Sequence, residues 1–134
     1  MIVVDTNVIG YLYLSSERSV QAERALIKDP EWAAPVLWRS EFRNVLVTYL
    51  HQGLINIEDA LHIFHEAETI MMGREYEVLS TQVLRLAASK ECSAYDCEFV
   101  ALAYDLKMPL VTVDRKIITQ FPDISIFLDA FVST

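Results

Sequence analysis

Cysteine is scarce in this chain: Cys92 and Cys97 are the only 2 among 134 residues. That is too few for a disulfide framework or a structural zinc site. Both lie around the start of one predicted helix, where small, mostly buried thiols are expected. The chain also lacks any uncharged apolar run of about eighteen residues, the length a membrane-crossing helix needs. Met1-Ile2-Val3-Val4 meets Asp5 too soon to act as a signal peptide. A cytosolic protein with no membrane partner is therefore expected. No linker, repeat or low-complexity stretch interrupts the sequence, so one domain over residues 1–134 is expected.

Basic charge is the other shortage. Lys and Arg number 11 against 19 Asp and Glu, a net charge of −8. This balance counts against simple electrostatic binding of nucleic acid, where basic footprints dominate. The deficit is uneven, however. Between residues 58 and 77, Glu58, Asp59, Glu66, Glu68, Glu75 and Glu77 face a single base, Arg74. That stretch reads as a solvated helical hairpin or a landing surface for a basic partner protein. His62 and His65 have no soft ligands nearby and are expected on a solvated helix face.

What the chain does have is apolar content: 53% hydrophobic residues, with a mean hydropathy of +0.26. A small chain this apolar is expected to cover some surface with a partner or a second copy. The apolar residues are ordered as strands alternating with helices. Ile2 to Val4 and Leu110 to Val113 are unbroken apolar runs, as expected of strands buried on both faces. Trp32 to Pro35, Arg74 to Val78 and Ile124 to Phe127 read as further strands.

Helices are predicted from Thr6 or Asn7 as cap to about Leu14, Ser19 to Lys28, Val36 to about Gln52, and Asn56 or Ile57 to about Met72. Others are predicted over Ser80 to Lys90, with Val83, Leu84, Leu86 and Ala87 inward, from Ser93 to near Lys107, and over Arg115 to Phe121. Gly53 and Gly73 stand where two of them should stop, and Ser93-x-x-Asp96 is close to a capping box. The pattern predicts an α/β fold: a three-layer α/β/α sandwich around a mostly parallel sheet.

Four acids fall at informative places on this plan. Asp5 and Asp114 end hydrophobic strands, and Glu41 and Asp96 ride on helices. Ligands bind open α/β sheets beyond the carboxyl ends of the strands. Crowded carboxylates repel and would take up protons unless a cation compensates. An all-oxygen set favours Mg2+ or Mn2+ over zinc. Such an ion polarises a phosphoryl oxygen and lowers the pKa of a bound water. Asp5 and Asp96 are the expected direct ligands, Asp114 a ligand directly or through water, and Glu41 the group that orients or deprotonates the water. Taken singly, each acid would more often be a helix cap, an exposed ion-pair partner or a turn residue.

In order and spacing, Asp5-Thr6-Asn7, Pro35 with Glu41 and Asn44, Ser93-Ala94-Tyr95-Asp96 and Pro109 to Asp114 resemble a PIN domain, most similar to the VapC-type toxin ribonucleases of prokaryotes. The resemblance covers Ile2 to about Phe127. It implies a five-stranded parallel sheet, commonly a homodimer, and acids matching Asp5, Glu41, Asp96 and Asp114 that hold magnesium or manganese and cut RNA phosphodiesters. It also implies an antitoxin protein as partner. Thr112 matches the family's polar residue two before the fourth acid, and Asn7 a polar position after the first. Both are candidates for substrate binding.

Arg39, Arg43, Arg115 and Lys116 lie near the acids in sequence and could grip phosphates, with Arg43 and Arg115 preferred. Tyr11, Tyr13, Trp38 and Tyr95 could stack on bases, though core packing is their commoner fate. Glu98 should point away from Asp96, and Asp105 and Asp123 should be surface residues. Two other classes fit less well. A phosphatase of the haloacid dehalogenase type needs a second aspartate two residues after Asp5, and Asn7 stands there. A non-enzymatic PIN-like protein-binding module gains nothing from four repelling acids.

Overall fold

The computed structural model describes residues 1–134. Strand β1 (Ile2–Val4) leads into α1 (Thr6–Tyr13) and α2 (Ser19–Lys28), and β2 (Trp32–Pro35) into α3 (Trp38–His51) and α4 (Ile57–Met71). Next come β3 (Glu75–Tyr76), α5 (Ser80–Ser89), α6 (Ala94–Leu106), β4 (Leu110–Thr112), α7 (Arg115–Gln120), β5 (Ser125–Phe127) and α8 (Leu128–Ser133). The strands form one five-stranded sheet in the order β3-β2-β1-β4-β5, and every neighbouring pair is parallel.

Strand β1 lies between β2 and β4, in register Ile2 with Trp32 and Val3 with Leu110. Ile2, Val3, Val4, Leu110 and Val111 are buried, which is why both segments are apolar without alternation. From β1 the chain winds outward through β2 and β3 on one side, and β4 continues to β5 on the other. The crevice beyond the carboxyl ends of β1 and β4 is therefore the topological switch point of the sheet, where such folds bind ligands. Helix α6 packs over β1 and β2, and its buried face, Phe99 to Ala103, seals that side of the crevice.

Away from the crevice the core is aromatic. Trp38, at the start of α3, stacks on Phe64 of α4 with ring centroids 5.6 Å apart, and Phe42 lies 6.1 Å from the same ring. Phe42 is fully buried, so truncating it to alanine costs about 3–5 kcal/mol. This cluster fixes α3, and with it the direction in which Glu41 points. At the start of α4, Asn56 and Asp59 cap one another reciprocally. Gly53 (φ +71°) and Gly73 (φ +80°) follow α3 and α4 in the left-handed region, where a side chain would be strained.

Four local expectations need correction. The cap of α1 is Asp5, not Thr6 or Asn7, because its carboxylate accepts from Val8 N at 3.1 Å. Leu84 is 64% exposed, because the inward stripe of α5 is set by Val83, Leu86 and Ala87. Strand β3 pairs over only Glu75 and Tyr76, since it is a sheet edge with β2 alone beside it. Finally, Leu128–Ser133 is a helix that periodicity did not reveal. It is held by burial of Leu128 and Phe131 and by the Lys28 ammonium, which donates to Phe131 O at 2.5 Å across from α2.

Candidate active site

Each of the four acids is placed by a different local device. Asp5 leaves β1 and caps α1; besides Val8 N it accepts from the Thr112 hydroxyl and, at 3.4 Å, from Val113 N. The same Thr112 hydroxyl accepts the amide of Asp114 at 3.0 Å. Asp114 in turn caps α7 through Lys116 N at 2.8 Å. Asp96 sits in the first turn of α6, its amide bound to Ser93 Oγ at 3.0 Å. The reciprocal arm of a capping box is missing. Glu41, in the first turn of α3, accepts from the Thr6 hydroxyl at 2.6 Å.

Asp5, Glu41, Asp96 and Asp114 line one cleft of about 270 Å³, together with Asn7 and Asn44. A larger hollow of about 460 Å³ lies beside β3, between α5 and α6, but it is mainly apolar and collects only Glu77 and Glu98 among charged groups. The chemistry is concentrated in the smaller one. Burial pushes the Asp5 carboxyl up to about 6; its hydrogen bonds from Thr112, Val8 and Val113 oppose this, and the charge of Asp114 adds to it. Burial also raises Asp96, with Asp114 adding to the effect, and raises Glu41, with Asp96 adding to it. Asp5, Glu41 and Asp96 are thus held in a field that disfavours their charge, which is the condition a bound cation relieves.

The donor set is all oxygen and suits a hard divalent cation. No group of three His, Cys, Asp or Glu side chains stands at metal-binding spacing. A hydrated Mg2+ fits that arrangement, because magnesium keeps several waters and takes one or two carboxylates directly.

The flanking candidates divide. Asn7 is exposed on the cleft wall. Thr112 is fully buried, so it cannot touch substrate; it is the hinge between Asp5 and Asp114. Arg39 is not free to grip phosphate. It donates to Glu75 at 2.6 and 2.9 Å and to Glu68 at 2.6 Å, holding α3 to α4 and β3. Arg43 is exposed but lies over the Phe64 ring, in the groove between α3 and α4 rather than in the acid cleft. Arg115 is exposed at the start of α7. Trp38 is core, and Tyr13 packs on Phe42. Tyr95 is 62% exposed beside Asp96.

Cys92 and Cys97 are buried free thiols, and His62 and His65 are exposed. Glu98 faces the larger hollow, yet its carboxyl is raised by burial and then by Glu41, so it is electrically closer to the cleft than its helical position suggests. Two contributors lie within the resembling motifs but are given no role from sequence. Asn44 follows Glu41 by three residues and so shares its helix face, a spacing that could have revealed it. The role of Thr6 needs the fold, because its partner is 35 positions away.

Known proteins resemble this chain in sequence and fold. Residues 2–123 match the model of the PIN domain. The chain is 31% identical over 124 residues to Ribonuclease VapC3 of Pyrobaculum aerophilum, covering 90% of this chain and 95% of that protein. The fold superposes on PAE2754 of Pyrobaculum aerophilum with a TM-score of 0.78 at 18% identity, over 98% of this chain and 93% of that one. It superposes on a chain of a toxin-antitoxin complex from Klebsiella pneumoniae with a TM-score of 0.71 at 17% identity, over 96% and 98%. With residues 2–123 matched by the family model and a relative 31% identical along most of both chains, the chain belongs to the PIN domain family.

Proposed function

We propose that this protein is a divalent-metal-dependent endoribonuclease and the toxin of a toxin-antitoxin pair. The observation that carries the proposal is the gathering of Asp5, Glu41, Asp96 and Asp114 into one cleft at the switch point, with Asp5 buried and its carboxyl pushed up to about 6. A relative at 31% identity named as a ribonuclease supports RNA as the substrate. The likeness to a toxin-antitoxin complex supports an antitoxin as partner. Leu54, Ile57, Leu61 and Leu84 are apolar residues left exposed, and an antitoxin or the second copy of a homodimer would cover surface of this kind.

Asp5, Asp96 and Asp114 would hold Mg2+ or Mn2+, and the bound ion would polarise a phosphoryl oxygen and acidify a water. Glu41 is aimed by the Thr6 hydroxyl, which leaves its second carboxylate oxygen free to accept the proton of that water. Asn7, exposed on the cleft wall, would donate to a phosphate oxygen. The Asp5–Thr112–Asp114 chain keeps the two strand-end acids at a constant separation.

A panel of structured and single-stranded RNAs, with Mg2+, Mn2+ or EDTA, tests this directly. Cleavage that requires metal and disappears in Asp5→Asn is expected. The competing reading is a PIN-like protein-binding module, favoured by the absence of three acids at metal-binding spacing. It predicts no cleavage of any RNA and no thermal shift with Mn2+.

A further inference from the structure

Phe127, the last residue of β5, pairs in register with Thr112, whose hydroxyl holds Asp5. Paired residues of neighbouring strands point to the same face, and the strands lie about 4.8 Å apart. The Phe127 ring therefore stands one strand beyond the acid cleft, at the same end of the sheet.

Two arginines converge on that ring. The Arg18 guanidinium carbon lies 5.2 Å from its centroid and that of Arg115 lies 5.0 Å away. Arg18 occupies the residue before α2 without making a side-chain capping bond, and Arg115 opens α7 immediately after Asp114. Neither is within ion-pairing distance of a carboxylate; the ion pairs of the chain involve Arg39, His62 and the Met1 amino group. Two unneutralised guanidiniums on one ring, in a chain of net charge −8, leave room for an anion from outside. The ring orients the guanidiniums by cation–π contact and leaves their N–H edges free.

Arg115 also directly follows Asp114, which lines the cleft. Tyr11 lies within electrostatic reach of both Arg18 and Asp5. It lines a groove that shares Thr6, Asn7 and Val45 with the acid cleft. Four acids repel an RNA strand, so a strand that reaches them needs a cationic hold nearby.

We infer that Arg18 and Arg115, set around Phe127, form a phosphate grip that holds the RNA backbone at a nucleotide flanking the one in the acid cleft. The grip presupposes the ribonuclease function proposed above and adds to it the side from which the strand is held. Because the guanidiniums use the ring as their platform, the grip reads backbone and not base, and it works on any sequence.

The test is direct binding of a short fluorescein-labelled single-stranded RNA, read by fluorescence anisotropy in EDTA so that no cleavage intervenes. Wild type is compared with Arg18→Ala, Arg115→Ala and Arg85→Ala. The last removes the same charge from the exposed face of α5. Arg18→Ala and Arg115→Ala are each expected to weaken binding about tenfold. Each should also reduce the slope of log affinity against log salt by about 0.7. Arg85→Ala should match wild type. Equal affinities and salt slopes for all four proteins would overturn the grip, as would equal loss in all three variants, or no binding by wild type.

Cleavage of the RNA panel separates the two proposals. Metal-dependent cutting with unaltered binding by the grip variants would remove the grip and keep the ribonuclease. Binding lost in those variants, with no RNA ever cut, would keep the grip and remove the ribonuclease. Arg115 is exposed and Arg18 is half-buried, and a thermal melt of each variant verifies that it is folded.

Discussion

Thr112 and Asp5 are 107 positions apart, yet the Thr112 hydroxyl donates to Asp5 Oδ2 while accepting the amide of Asp114 at 3.0 Å. One fully buried oxygen thus ties the acid after β1 to the acid after β4. Thr112→Val keeps the shape and removes both bonds. It leaves Asp5 Oδ2 with only the long contact from Val113 and costs about 1–3 kcal/mol. Thermal melts and cleavage assays on the valine and serine variants check this. The valine should lose both stability and cutting while serine retains them. A fully stable valine variant would show that the tie is dispensable.

Metal-free stability should fall as pH rises. Asp5 is held at about 6 in the folded protein against an ordinary 3.8, so the folded state binds its proton more tightly than the unfolded chain does. Its contribution is complete below pH 4 and is lost as pH rises through 6, a difference of about 3 kcal/mol. Asp5→Asn preserves the helix cap and removes the titration. The wild-type melting temperature, measured relative to Asp5→Asn in EDTA, should therefore drop between pH 4 and pH 7. A flat difference across that range would refute the buried, raised carboxyl.

Added Mg2+ or Mn2+ should reverse that loss. Binding requires the ionised carboxylates, so cation affinity should weaken as pH falls below about 6, and binding should release protons. Calorimetry in two buffers of different ionisation enthalpy reads the release. A thermal shift with Mn2+ as large at pH 5 as at pH 8 would contradict the assignment of Asp5 as a ligand.

Thr6 holds Glu41 through a hydrogen bond of 2.6 Å that opposes the upward push of burial on that carboxyl. Thr6→Val removes this opposition, so Glu41 should ionise at higher pH. As the proposed proton acceptor, Glu41 must be ionised to work. The acidic limb of the pH–rate profile should move to higher pH in the valine variant, with the rate below it reduced about tenfold. Thr6→Ser should restore the wild-type profile, an outcome that a purely structural role for Thr6 would not give in the position of the limb.

Arg39 makes the opposite prediction. Its guanidinium binds Glu75 and Glu68, holds Glu75 below the usual carboxylate range, and lies over the Trp38 ring. Arg39→Ala should destabilise the protein by about 1–3 kcal/mol and leave cleavage per folded molecule unchanged. A cleavage defect in fully folded Arg39→Ala would restore it as a phosphate contact.

The sequence carries some of this on its face. Unbroken apolar runs at Ile2–Val4 and Leu110–Thr112 are legible as buried parallel strands, because a strand covered on both faces has no polar side to show. Glycines at 53 and 73 mark helix ends because only the left-handed region turns the chain there. Helix α8 was not legible. Its six residues are too short for a period, and its stability comes from contacts with α2 through Phe131 and Lys28.

By itself, then, the sequence determined the strand and helix order as far as β5 and the parallel sheet, which follow from local periodicity and residue type, and the set of four acids, which follows from their order and spacing along the chain. Only the tertiary structure decided how those acids are held. Neither the bond from Thr6 to Glu41 nor that from Thr112 to Asp5 exists until distant segments meet. Arg39, a neighbour of the acids in sequence, is turned away to Glu68 and Glu75, while Arg18, far from three of them, arrives with Arg115 at Phe127. The physical reason is common to all of these. Charge and hydrogen bonding act over a few ångströms of space, and in a parallel sheet the residues that close such distances are brought together by crossover connections rather than by the chain.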